Sequence, residues 1–173
     1  MTGIPCRRLL CAVLLTASIS MLYPASAEQG YRLYRNWRFG VSVDVPSDWK
    51  EGPEPENNDG LVFTAPDGAA TITVSGILNA DGEPAAEVIA DEQRAEDGET
   101  VTYRKTGARE AVMSGTRGDA IFYRKVILSC KDQIVNRLLI EYPVAQKQAF
   151  DALVSHVAAS MRSSPGEQIP KCR

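Results

Sequence analysis

Apolar side chains recur at every second position in seven short runs of this chain, most of them joined by only a few residues rich in Gly, Pro, Asp and Asn. In the first run Phe39, Val41, Val43 and Val45 alternate with Gly40, Ser42 and Asp44 until Pro46 stops the pattern. A period of two puts one face of a strand in a core and leaves the other near water. Connections this short suit antiparallel neighbours, whereas a parallel sheet needs crossovers of a dozen residues or more. The runs 61–65 and 70–74 flank Pro66-Asp67-Gly68 and read as a hairpin. Four more, at 101–105, 111–116, 120–130 and 134–142, are parted by Gly107-Ala108, Arg117-Gly118-Asp119 and Lys131-Asp132, which predicts a four-strand meander.

Two stretches keep a helical period instead. Between Pro84 and Glu99, Ala85, Val88, Ile89, Glu92 and Ala95 recur at spacings of three and four, giving an amphipathic helix with a weak apolar face. After Pro143, Phe150, Leu153, Val154, Val157 and Met161 share one helical face, so that helix has to pack on the sheet. The order of three strands, helix, four strands, helix predicts an α+β fold: an antiparallel sheet of about six to seven strands sandwiched by helices. With 44% hydrophobic and 24% charged residues the composition is that of one ordinary globular domain.

The first residues read differently. Arg7 and Arg8 precede an almost uncharged apolar run, 9–23, and Ala25-Ser26-Ala27 supplies small residues at −3 and −1. This is the pattern of a Sec-type signal peptide cut before Glu28. The run is short of the roughly 20 residues that a spanning helix needs, and Cys11 stands too early for a lipoprotein site. The expected organisation is a signal peptide at 1–27, a single α+β domain at 28–162 and a polar tail at 163–173. No transmembrane segment is expected in the mature chain, which is periplasmic or secreted. Cys6 and Cys11 leave with the leader, so Cys130 and Cys172 remain in an oxidising compartment. A disulfide between them would tie the tail to a strand end. The competing readings are a redox pair, for which the sequence offers no Cys-x-x-Cys, and two unpaired thiols.

The formal net charge of −3 conceals an uneven spread: residues 28–99 carry 5 basic and 16 acidic side chains, residues 100–173 carry 12 and 6. Either the halves neutralise each other across one sheet or a polarised surface steers a charged partner. A nucleic-acid binder needs a concentrated basic surface, so nucleic acid is not an expected partner. Several strings imitate catalytic motifs. Ser47-Asp48-Trp49-Lys50 and Lys105-Thr106-Gly107 match two boxes of penicillin-recognising enzymes, but the serine follows a strand and an S-D-N element is missing. Arg117-Gly118-Asp119 spells an adhesive tripeptide and is equally ordinary turn chemistry. His156 is the only histidine and lies off the apolar face of its helix, which predicts a surface residue. With no G-x-G-x-x-G, P-loop, H-E-x-x-H or G-x-S-x-G, no catalytic, cofactor or metal residue is assigned, and no cofactor is expected.

What remains is aromatic and acidic. Tyr31, Tyr34, Trp37, Phe39 and Trp49 cluster around the first run, as core caps or as the anchors that interfaces favour. The loop 51–60 gathers Glu51, Glu54, Glu56 and Asp59 around Asn57 and Asn58. Hard cations take such oxygens, but Pro53 and Pro55 fill places where a calcium loop needs ligands, leaving a solvated loop as the alternative. Loops on a rigid scaffold carry recognition. The candidate partner-binding residues are therefore Trp37, Trp49, Glu54, Glu56, Asn57, Asn58 and Asp59.

The strings Tyr34-Arg35-Asn36-Trp37-Arg38-Phe39-Gly40, Val45-Pro46, Pro55-Glu56-Asn57-Asn58-Asp59-Gly60 and Asp67-Gly68 together resemble a group of small exported proteins of proteobacteria, largely uncharacterised. Val101-Thr102-Tyr103, Ser114-Gly115-Thr116, Ile121-Phe122-Tyr123 and Leu139-Ile140-Glu141-Tyr142-Pro143 extend the likeness over nearly the whole mature chain. More remotely, the opening strand closed by Val-x-Val-Pro-x-x-Trp looks like that of the PsbP and Mog family. That resemblance implies an antiparallel sheet between helices and a non-catalytic role in assembly or partner binding. It brings no catalytic residue, and no signature for a photosystem or a GTPase partner is present. The expectation is an exported, soluble, non-enzymatic module that binds a protein or cell-envelope component. A small-ligand or metal carrier is the alternative, followed by an uncharacterised hydrolase.

Overall fold

The structure is a computed structural model that describes residues 30–166; the expected signal peptide and Cys172 lie outside the described residues. In chain order the elements are β1 (Tyr31–Asn36), β2 (Val41–Pro46), β3 (Lys50–Glu51), β4 (Gly60–Thr64), β5 (Thr71–Leu78), α1 (Ala85–Glu92), β6 (Glu99–Thr106), β7 (Glu110–Arg117), β8 (Ala120–Ser129), β9 (Ile134–Pro143), α2 (Lys147–Ser160) and β10 (Arg162–Ser163). A seven-stranded sheet runs β3-β4-β5-β9-β8-β7-β6, and a three-stranded sheet runs β1-β2-β10. Every recorded strand pairing is antiparallel. The chain is α+β, as the alternation and short turns predicted, with the hairpin β4–β5 and the meander β6–β9 in place.

The first apolar run differs from expectation in belonging to the smaller sheet. Val41, Val43 and Val45 of β2 are fully buried against Phe63, Ile72, Val74, Leu138 and Ile140 of the large sheet. Face-to-face packing explains why one strand shows such strict alternation without pairing into the large sheet. Helix α2 closes the same layer with Val154, Val157 and Ala158. Helix α1 covers the opposite face with Val88 and Ile89, over Ala111, Val126, Leu128 and Val135. Burial of each such aliphatic side chain stabilises by roughly 1.5–3 kcal/mol. Helix α1 also stops earlier than its sequence pattern. Gln93, one residue past its end, donates to the carbonyls of Val112 and Lys105 (3.0 and 3.2 Å) and accepts from Thr106 Oγ1 (2.7 Å), fastening the chain to the β6–β7 hairpin.

The last strand works as a clasp. β10 pairs with β2 through Arg162↔Ser42 and Ser163↔Val41, and Ser164 N donates to Gly40 O at 2.8 Å. Asn136, fully buried on β9, donates to Ser163 Oγ (2.8 Å) and Ser129 Oγ (3.3 Å), so ordered packing continues past residue 162. Gly40 sits at φ +69°, where a Cβ would stand 1.8 Å from Ser164 O. Gly68 has φ +74° with open space around it. Gly68→Ala is therefore expected to cost about 1–2 kcal/mol from the left-handed backbone alone, and Gly40→Ala more, with faster amide exchange at Ser164. Equal urea midpoints for the two variants would contradict the clasp.

Candidate binding surfaces

The β1–β2 turn and the acidic loop meet because Asn36 joins them. Asn36, 2% exposed, accepts from Phe39 N (3.0 Å) and donates to Asn58 O (3.0 Å). Arg38 adds a bond to Asn57 O, Asn57 donates to Asp59 Oδ2 (2.8 Å), and Gly76 N donates to Asp59 O (2.8 Å). This anchoring fixes Asn58 in the left-handed region at φ +48°. Trp37, 53% exposed, projects from the turn with the Arg35 guanidinium 4.8 Å from its ring centroid. Leu33, on the same outward face of β1 as Arg35, is 59% exposed. Trp37, Glu54, Glu56, Asn57 and Asn58 are thus exposed at one end of the molecule, and Asp59 is half-buried beside them.

Trp49 does not join them. It is 5% exposed, with its ring edge-on to Phe150 at 6.4 Å, while Phe150 stacks on Tyr142 at 5.1 Å. Unlike Trp37 it is buried, and it belongs to the core cluster with Phe63, Ala65 and Tyr142. Among the described residues no group of three or more His, Cys, Asp and Glu is gathered as a metal site, so the carboxylates of loop 51–60 do not converge there. Glu51 instead pairs with Arg32.

His156 is exposed as expected, but its ring stacks on Tyr31 (3.8 Å between centroids) and its Nε2 lies 3.1 Å from Asp44 Oδ2. This Asp–His pair was invisible in the sequence, because its members are 112 residues apart. The nearby hydroxyl of Ser160 accepts from Asp44 N and donates to Val157 O. Arg117-Gly118-Asp119 is the β7–β8 hairpin turn, with Gly118 at φ +56°.

On the α1 side of the large sheet, acidic residues from the first half of the chain meet arginines from the second. Glu99, whose side chain is fully enclosed, accepts from Arg117 (2.7 Å), Arg124 and the backbone N–H of Glu96 (2.9 Å). Burial raises the Glu99 carboxyl, but the Glu96 backbone bond and the two arginines outweigh it and hold it below its usual range. Glu96 also bridges Arg117 (2.6 Å) and Arg124 (2.8 Å), and Arg137 forks onto Glu92. This network borders a groove of about 590 Å³.

A second groove, about 430 Å³, lies on the other face between α2 and the β6–β8 wing. Its floor follows two rows across the register. Lys105, Val112 and Lys125 form one row; Tyr103, Ser114 and Tyr123 form the next. Val154, Ser155, Ala158 and Ala159 of α2 make the facing wall. Lys125 Nζ donates to Ala158 O at 2.9 Å.

No known family and no curated protein matches the chain in sequence. Its fold has solved counterparts. The solution structure of cyanobacterial PsbP (CyanoP) from Synechocystis sp. PCC 6803 superposes with a TM-score of 0.57 at 11% identity, over 86% of this chain and 100% of that one. The Ran-binding protein Mog1p of Saccharomyces cerevisiae gives 0.52 at 7% identity, over 79% and 96%. LpqN, involved in cell envelope biogenesis of Mycobacterium tuberculosis, gives 0.51 at 16% identity, over 80% and 93%. At these identities the likeness establishes the fold, which agrees with the PsbP and Mog resemblance of the sequence.

Proposed function

We propose that the chain is an exported, non-catalytic module that binds a protein or cell-envelope component through the end bearing Trp37 and the acidic loop. The observation that carries this reading is Trp37: a large aromatic ring, more exposed than buried, held on a turn that Asn36 and Arg38 fasten to the loop 53–60. A presented tryptophan on a rigid base loses little conformational entropy on binding and is the residue type that interfaces use as an anchor. Arg35 and Arg38 of the β1–β2 turn region, and Glu54 and Glu56 of the exposed loop, give this end both signs of charge, so the fitting partner offers an apolar pocket with a polar border. LpqN and Mog1p, of the same fold, are described as acting in envelope biogenesis and in Ran binding; a binding role here is in keeping with both. Export to the periplasm or beyond the cell rests on the reading of residues 1–27 as a signal peptide. Among the described residues no helix is long and apolar enough to cross a membrane.

The test is site-specific photo-crosslinking in cells. A benzophenone side chain at position 37 is expected to give one discrete adduct in the envelope fraction, while the same group at exposed position 67, in the β4–β5 turn, gives none. Co-expressed wild type should compete the adduct away, and a Trp37→Ala competitor should fail to. Identical patterns at 37 and 67, or equal competition by Trp37→Ala, would contradict the assignment.

A further inference from the structure

The groove between α2 and the β6–β8 wing carries a charge pattern that folding alone does not favour. The protein is acidic overall, yet here Lys105 and Lys125 flank Val112 on one face, two strand spacings or about 10 Å apart at their stems. Arg162 approaches Lys125 from the α2 side, and among the described residues Glu110 is the one acid that faces the group. Burial pulls the Lys125 amine below its usual range; Glu110 works against this, and Arg162 and Lys105 add to it. One of the three ammonium hydrogens is directed to Ala158 O at the end of α2. Next to the lysine row stands the tyrosine row, Tyr103 half exposed and Tyr123 partly buried, and the apolar part of the lining includes Val112, Val154 and Ala158. An apolar floor with a few convergent polar groups, within about 300–1,000 Å³, is the composition of a small-molecule cleft.

We infer that this groove binds a small organic anion: a carboxylate head held between Lys105 and Lys125, with an aliphatic body lying over Val112, Val154 and Ala158 beside the two tyrosines. The complementarity is of two kinds. A bound anion supplies the negative charge that three cations and one acid leave wanting, and its body covers the apolar floor from water. Neither an acetate-sized ion nor a neutral chain satisfies both. The inference is independent of the Trp37 surface, which lies at the β1–β2 turn.

The probe is octanoate, with octanamide as its neutral counterpart and acetate as the head without the body. Titration calorimetry is expected to give a dissociation constant on the order of 1 mM or tighter for octanoate, with octanamide and acetate at least tenfold weaker. Amide resonances of Val112 and Lys125 should shift while those of Trp37 and Asn58 stay in place. Lys125→Gln keeps a donor for Ala158 O and removes the charge that its surroundings oppose, so the fold should be retained. That variant and Lys105→Gln are each expected to weaken octanoate at least fivefold. Octanamide or acetate binding as tightly as octanoate, unchanged affinity in both lysine variants, or no octanoate binding would overturn the assignment.

Discussion

Glu99→Gln is expected to lower the free energy of unfolding by about 3 kcal/mol. The substitution keeps the shape and removes the charge from a side chain that is fully enclosed and bonded to Arg117, Arg124 and the backbone of Glu96. Arg124, whose side chain is 13% exposed, then stands over Phe122 with Glu96 as its remaining acidic partner. Breaking a buried pair costs about 3–5 kcal/mol because one charge stays behind without its counterion. The expected loss lies at the low end of that range because Glu96 bridges both arginines. Glu96→Gln, at a side chain 62% exposed, should cost under about 1 kcal/mol. In urea the first change moves the midpoint by about 1 M or more. Equal midpoints for the two variants would mean that the enclosed carboxylate contributes no more than a surface pair.

The effect has a pH signature of fixed sign. The folded-state pKa of Glu99 lies below its ordinary 4.5, so the folded state holds the proton less tightly than the unfolded chain. Stability from this group is fully present above 4.5 and is lost as pH falls through the lowered folded value. The gap between wild type and Glu99→Gln is therefore expected to be constant from neutral pH down to about 5 and to narrow below 4.5. A gap that widened on acidification would contradict the assigned direction.

The same carboxylate shows where sequence reasoning reaches its limit. The strand bearing Val41, Val43 and Val45 was legible because half-burial writes itself as a period of two, and Pro66-Asp67-Gly68 was legible because a left-handed Gly68 marks a tight turn. β1 left no such trace: Leu33 and Arg35 face outward while Arg32 leans over Phe63, so its residue types do not sort by face. The burial of Trp49 is hidden in the sequence for a related reason. An aromatic residue after a strand reads alike as anchor or as core, and the decision rests with Phe150, a hundred residues later in the chain. The imbalance between halves was visible as composition, and its first reading, mutual neutralisation, has a physical form in Glu92, Glu96 and Glu99 against Arg117, Arg124 and Arg137. Which acid was enclosed depended on register. The lysine and tyrosine rows are likewise products of pairing, because Lys105 and Lys125 become neighbours only when β7 inserts Val112 between them.

Register also bears on the cysteines. Oxidised protein is expected to be about 4 kcal/mol more stable than Cys130→Ser, the chain-entropy value for a closed loop of about 40 residues and an upper limit where the bridge is strained. The motivation is local. Cys130, Lys131 and Asp132 all have positive φ (54°, 54° and 69°), a conformation that favours glycine or asparagine, yet a cysteine opens the turn. Such a backbone persists when surrounding structure over-determines it. The clasp passes close by, because Asn136 bonds both Ser129, adjacent to Cys130, and Ser163. From Ser163 the nine residues to Cys172 reach at most about 30 Å, ample for a return to this turn. A Cys130–Cys172 bridge would then secure the segment that closes over Gly40 and so brace the turn presenting Trp37. Protein from the exported fraction should resist alkylation until reduced and weigh two hydrogens less than its reduced form. Cys130→Ser should speed amide exchange at Ser164 and Gly40 as well as lowering the midpoint. Two thiols alkylated without reduction, or unchanged exchange at Ser164, would separate the tail from the clasp and leave Trp37 to be held by Asn36 and Arg38 alone.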